Sequence, residues 1–224
     1  MAGETVIVTG GASGLGRAVA DALAAGGWRP FVLDRRPADG LDHEVVDLSR
    51  TREAEAAVRR AAAGGLRAVV TSAGIDACGP LETVPADEWE RVIAVNLLGT
   101  AAVVRAALPY LIESAGRVVS VASTLGLRAL PEATAYCASK FGVVGFTRAL
   151  AAELAGRVGV TLLIPGGMRT GFFDDRDEQY RPGADAQLNA PEDVAAAVVF
   201  CLCQPPGCEV RELVVAPSRE PSWP

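Results

Sequence analysis

Of the 21 lysines and arginines in the chain, only Lys140 is a lysine, and it lies four residues after a tyrosine, in Tyr136-Cys137-Ala138-Ser139-Lys140. Arginine serves for every other positive charge, so the exception points to something arginine does not supply. An ammonium is a compact point charge that can sit beside a phenol and donate to sugar hydroxyls. Spacing of four on a helix puts both side chains on one face, one turn apart. A fixed cation beside a phenol lowers its pKa from the ordinary ~10, which suits the phenol to proton transfer. A Tyr/Lys pair at this spacing is also a common surface contact, so its meaning depends on what accompanies it.

Two further features accompany it. Thr9-Gly10-Gly11-Ala12-Ser13-Gly14-Leu15-Gly16 follows a short apolar run and opens a helical pattern. Glycines there let the backbone turn tightly and approach a pyrophosphate, which then rests on the helix N-terminus. Gly10, Ser13, Gly14, Leu15 and Gly16 are the candidate contacts. With 24 glycines in the chain the string alone is weak, and its place between a strand and a helix gives it weight. No lysine follows the glycines, which excludes a Walker-type site. Asp34 closes the next apolar run, 18 residues after Gly16. A carboxylate there accepts hydrogen bonds from an adenosine ribose and repels a 2′-phosphate, which favours NAD over NADP. Arg35 and Arg36 follow at once and offer the opposite, a grip on that phosphate. A turn-capping aspartate is the plainer reading of Asp34.

These residues need a scaffold. Short apolar runs at 5–9, 30–33, 44–46, 67–71, 117–121, 160–164 and 212–215 read as strands. Between them, helical patterns cover 15–25, 51–63, 86–95 (continuing, with a kink, towards 112), 135–155 and 190–202. Such alternation predicts an α/β, Rossmann-like, doubly wound parallel sheet of about seven strands, with helices on both faces, in a single domain over 1–224. The segment 170–190 breaks the rhythm. It is charged and polar, holds Phe172, Phe173 and Tyr180, and reads as a lid.

Composition narrows the class. The net charge of −6 and the absence of a basic face argue against a nucleic-acid partner. No signal peptide is legible, and the apolar run 194–203 is too short to span a bilayer, so a cytoplasmic protein without a membrane partner is expected. Five cysteines at 78, 137, 201, 203 and 208 match no zinc pattern and His43 is the only histidine, so no metal is expected and the thiols read as reduced.

Taken together, Thr9-Gly10-x-x-x-Gly14-x-Gly16 and Tyr136-x-x-x-Lys140 resemble the classical short-chain dehydrogenase/reductase family, and the likeness runs from Val6 to about Val215. Asp47-Leu48 looks like the family's adenine contact. Ser72-Ala73-Gly74 matches its Asn-Ala-Gly motif with serine in place of asparagine, a change that would weaken a bond bracing the sheet. Asn96, in Val95-Asn96-Leu97, looks like its helix-kinking asparagine. Ser123, 13 residues before Tyr136, stands where the catalytic serine is expected. Pro165-Gly166-Gly167-Met168-Arg169-Thr170 matches the Pro-Gly-x-x-x-Thr motif beside the nicotinamide.

The resemblance implies hydride transfer between NAD(P) and a secondary alcohol or ketone. Tyr136 would be the general acid/base and Ser123 would stabilise charge on the substrate oxygen. Lys140 and the oxidised nicotinamide would lower the pKa of Tyr136, and Lys140 would also hold the nicotinamide ribose. Asn96 would position a proton-relaying water. Ala73, Gly74, Pro165, Gly166, Met168 and Thr170 would also contact cofactor, and a homodimer or homotetramer is implied. A pocket is expected between residues 75–79, residues 124–130 and the lid, with Leu125, Leu127, Leu130, Phe172 and Phe173 as an apolar wall. Arg128, Arg169 and Arg176 could meet an anionic group but read more simply as solvated surface charges. A non-catalytic dinucleotide-binding sensor or scaffold on the same fold is the alternative from another class, and an NADPH-dependent biosynthetic ketoreductase is the alternative within the class.

Overall fold

Val6, Ile7 and Val8 are fully buried and alternate between two apolar layers, as a strand covered on both faces must. In the computed structural model, which describes residues 3–220, they lie in an interior strand of a seven-stranded sheet. The strands are β1 (Thr5–Thr9), β2 (Arg29–Asp34), β3 (Asp42–Val45), β4 (Ala68–Thr71), β5 (Arg117–Val121), β6 (Gly159–Pro165) and β7 (Glu212–Val215). Their order is β3-β2-β1-β4-β5-β6-β7, and every pairing is parallel. The helices are α1 (Gly14–Ala25), α2 (Thr51–Ala61), α3 (Ala86–Ile93), α4 (Thr100–Glu113), α5 (Thr134–Glu153) and α6 (Pro191–Leu202).

The layers follow from the alternation. Val6, Val8, Val32, Val70 and Val119 face α1 and α6 through Val19, Leu23, Val194 and Val198. Ile7, Leu33, Val69, Val118 and Val160 face the other way, onto Val58, Val103, Leu111 and Leu150 of α2, α4 and α5. Because all strands run the same way, their carboxyl ends share one edge. The strand order reverses direction between β1 and β4, which opens a crevice there for a ligand.

Most element boundaries fall within a residue or two of the sequence reading. The exception in character is β3, which begins at Asp42 rather than at 44. Its side chains are largely exposed, so pairing to β2 through main chain leaves no apolar pattern to read. Between α3 and α4 the helix does not break. It widens into a π-helical turn, Ala94–Gly99, that contains Asn96. Residues 86–113 thus form one run that is long and apolar enough to cross a bilayer. Of its most apolar window 56% is buried, as befits a helix packed against the core.

Close backbone approach fixes the first turn. A Cβ on Gly16 would lie 2.2 Å from the Gly10 carbonyl oxygen, and one on Gly10 would lie 2.8 Å from Ala73 Cα. Gly10 also has φ +71°, a left-handed conformation that disfavours side chains. Gly16→Ala is therefore expected to destabilise the protein by about 3 kcal/mol or more, because backbone and not a flexible side chain must move. A urea titration checks this, and an unchanged midpoint would refute it.

Candidate active site

Three side chains converge at the carboxyl ends of β4 and β5. Ser123 follows β5 and caps a short 3-10 turn, its Oγ accepting from Leu125 N at 3.1 Å. The Ser123 hydroxyl lies close enough to the Tyr136 phenol to lower its pKa. One turn further along α5, Lys140 places Nζ 5.6 Å from the centroid of the Tyr136 ring. That ammonium is 4% exposed and donates to the Val121 carbonyl at 3.0 Å.

Glycines set these separations. A Cβ on Gly126 would stand 2.8 Å from the Lys140 carbonyl oxygen, so the Ser123 turn lies directly on α5. A Cβ on Gly142 would stand 2.7 Å from Leu97, which seats α5 against the π-helical turn.

Asn96 ties this turn to its surroundings. Its Oδ1 accepts from Ile75 N at 2.8 Å, and its Nδ2 donates to the Ile75 carbonyl at 2.9 Å and to Ser139 Oγ at 3.0 Å. Both amide hydrogens are thereby used. The Ser139 hydroxyl passes the link on to the Tyr136 carbonyl at 2.8 Å. The side chain of Asn96 thus joins the loop after β4 to the Tyr/Lys helix.

The electrostatics differ from the sequence expectation. Burial pushes the Tyr136 pKa up, and the Asp76 carboxylate pushes the same way; the Ser123 hydroxyl and the Arg176 charge act against them. Burial is the largest of these effects and sets the direction of the shift. Burial pushes Lys140 down to about 8, with Asp76 opposing.

The glycine turn fits a dinucleotide. Ser13, the N-cap of α1, makes no side-chain cap bond to the helix, so it does not occupy the first-turn N–H groups. Its hydroxyl instead accepts from Arg36 Nη2 at 2.8 Å. Asp34 is buried, its Oδ2 accepting from Ala12 N at 3.0 Å and its Oδ1 from Arg36 N at 2.9 Å. Arg35 is exposed, and Arg36 is the arginine that lies over the turn. The Leu15 side chain is core, which leaves its main chain for any contact.

Thr170 is the nearest neighbour of a Cβ built on Gly14, at 3.5 Å, which brings the Pro165-to-Thr170 loop over the turn. In that loop Met168 bridges to Asn189, and Gly167 N donates to Glu220 at 2.9 Å. Gly74 lies between Asn96 and Lys140, a Cβ there being 3.6 Å from both Oδ1 and Nζ. Ala73 N donates to Thr9 Oγ1 at 3.1 Å. The Ser72 hydroxyl donates to the Thr9 carbonyl, so serine keeps the brace between β4 and β1 that its substitution for asparagine was expected to weaken. Asp47 is engaged by Ser49 and Arg91, and Leu48 is buried beneath Gly99.

Other expectations need correction. Leu127 is partly buried against a small core of Val143, Val144 and Leu162, and Leu130 is exposed. Arg128 and Arg169 are exposed. Arg176 is not a solvated charge: its side chain is 17% exposed, and Nη2 donates to Asp76 at 2.6 Å. It lies over the rings of Phe172 and Phe173, and Phe172 packs on Tyr136 with centroids 5.7 Å apart. Asp76 was missed in the sequence because no motif marks it. The one signal was a carboxylate directly after Ser72-Ala73-Gly74-Ile75.

The short chain dehydrogenase family model matches residues 4–181. The D-beta-hydroxybutyrate dehydrogenase of Cupriavidus necator is 37% identical over 175 residues, covering 71% of this chain and 67% of that protein. The 3-ketoacyl-(acyl-carrier-protein) reductase of Brucella melitensis, solved with NADH, superposes with a TM-score of 0.87 at 29% identity and covers 98% of this chain and 99% of its own. A variant of actinorhodin polyketide ketoreductase, solved with NADPH, gives 0.85 at 28% identity, covering 96% and 98%. The chain belongs to the short-chain dehydrogenase/reductase family. It is an NAD(P)-dependent oxidoreductase that acts on the CH–OH group of a small molecule.

The buried ammonium leaves a signature in stability. With the folded pKa of Lys140 near 8 and the ordinary value at 10.5, the unfolded chain holds more protons between those limits. The burial penalty is therefore full below pH 8 and shrinks as pH rises toward 10.5. Compared with Lys140→Met, the parent protein should gain stability across that window in urea titrations; a constant difference would contradict the assignment.

Proposed function

We propose that the protein interconverts a secondary alcohol and its ketone, with Tyr136 as general acid/base. The observation that carries this reading is the convergence of the Ser123 hydroxyl, the Tyr136 phenol and the Lys140 ammonium at the strand ends, beside the glycine turn. A nicotinamide held there would supply or accept the hydride. Ser123 donates to the substrate oxygen and stabilises charge developing there. Tyr136 gives that oxygen its proton in reduction and takes it back in oxidation. Lys140 holds the nicotinamide ribose and keeps positive charge beside the phenol. Asn96, with its side chain committed to Ile75 and Ser139, serves any relay water through its main chain, which the π-helical turn loosens.

For the cofactor we favour NAD(H). Asp34 is fixed by two backbone N–H groups at the end of β2, where a ribose diol would meet it. The glycine turn, the main chain at Ala73 and Gly74, and the loop Pro165, Gly166, Met168 and Thr170 would hold the remainder. A homo-oligomer through the outer faces of the π-helical turn and α5 is supported by exposed Leu98 and Phe141.

Ethyl acetoacetate with NADH is the first assay. Tyr136→Phe should cut turnover by on the order of 10²–10⁴-fold while NADH binding, followed by fluorescence, stays within about threefold. Retained turnover would overturn the role of Tyr136. Asp34→Ala should weaken NADH and strengthen NADPH about tenfold, because Arg36 remains over the turn and the repelling carboxylate is gone. Tighter NADPH binding by the unmodified protein would instead assign the site to NADP(H).

A further inference from the structure

Asp76 and Arg176 are 100 residues apart, yet form a largely buried ion pair immediately above the proposed acid/base. Asp76 belongs to the loop after β4. It is well held there, with Oδ1 accepting from Ala77 N at 2.7 Å and Oδ2 from Cys78 Sγ at 3.2 Å. Arg176 belongs to the segment after β6. Its guanidinium lies 5.1 Å from the Phe172 centroid and 4.6 Å from that of Phe173, and Phe172 in turn rests on Tyr136.

The segment carries its own internal braces. Arg181 donates to the carbonyls of Arg176 and Asp174 at 2.7 and 2.9 Å, so it moves as a unit. The Tyr180 hydroxyl also lies near Glu132, whose carboxylate pushes its pKa up.

We propose that the Asp76–Arg176 pair is the clasp that shuts residues 171–181 over Tyr136, and that closure is coupled to the proton chemistry because only the closed segment sets Arg176 against the Asp76 charge facing the phenol. These are positioning residues, acting through Phe172 and through the field at Tyr136. The groups facing the phenol are Asp76, Ser123, Lys140, Arg176 and Cys137, with Cys78 and Asp177 grouped around Asp76. Opening would take Arg176 away and leave Asp76 to raise the phenol's pKa further; closing returns the compensating charge.

Among the described residues Arg176 Nε is buried without an acceptor, and the bond from Nη1 to the Tyr180 carbonyl is 3.3 Å long. A buried donor without a partner weakens the hold of the guanidinium on the closed segment.

Hydrogen exchange on the intact protein tests the clasp without any substrate. Asp76→Asn and Arg176→Met should each speed exchange of the 172–181 amides about tenfold. The double variant should exchange no faster than either single one, because both remove one interaction. Unchanged exchange, or additive effects, would overturn the clasp.

The coupling rests on the acid/base reading and is tested apart, through the pH dependence of ethyl 3-hydroxybutyrate oxidation. The apparent pKa limiting oxidation should fall in Asp76→Asn and rise in Arg176→Met, by about half a unit or more. Loosening alone would move both the same way and would refute the coupling. If Tyr136 is not the acid/base, that profile will be insensitive to Tyr136→Phe while the exchange result stands. Should either variant fail to fold, Asp76→Glu and Arg176→Lys keep the charges and alter the reach, and weaker protection is again expected.

Discussion

Burying an ammonium is costly, and much of this site reads as the accommodation of that one charge. Lys140 must lie close to Tyr136 and within the body of the protein, where water cannot solvate it. The chain answers with the Val121 carbonyl at the end of β5 and with Asp76 near enough to favour the charged form. Asp76 then creates a second problem, since a carboxylate beside a phenol holds the phenol's proton more tightly. Arg176 compensates for Asp76, and it reaches there from the segment after β6. One requirement thus leads from a helix in the core to a segment at the rim.

The parallel sheet makes the arrangement possible. Strands that all run one way end together, so residues from β1, β2, β4, β5 and β6 meet at one edge although they are far apart in sequence. Asn96 completes the assembly across the helices. Its amide joins Ile75 to Ser139, and Ser139 is part of the same turn that presents Tyr136 and Lys140. The π-helical turn is the local accommodation that lets a helix in the core present such a side chain.

The strands with apolar side chains on both faces were legible in the sequence, as were the glycine turn and the Tyr/Lys pair. Each reflects a local rule: burial on two faces, close backbone approach, helical spacing. β3 was placed less well because its register depends on main-chain bonds to β2 that impose no pattern on side chains. Asp76 and Arg176 were not legible as a pair, since 100 residues separate them and nothing local distinguishes Arg176 from the chain's other arginines. The upward push of burial on the Tyr136 pKa was not legible for a related reason. Spacing reveals the cation one turn away, but desolvation depends on what three other segments pile over the ring.

The solitary lysine has a practical corollary. A lysine-specific protease finds only one cleavage site in the chain, and that site lies inside α5 with its side chain 4% exposed. Cutting there requires α5 to leave the sheet, so nicking of surface loops cannot contribute to the signal. Appearance of two fragments meeting at Lys140 would therefore time the opening of the core itself, with no label or engineered residue needed.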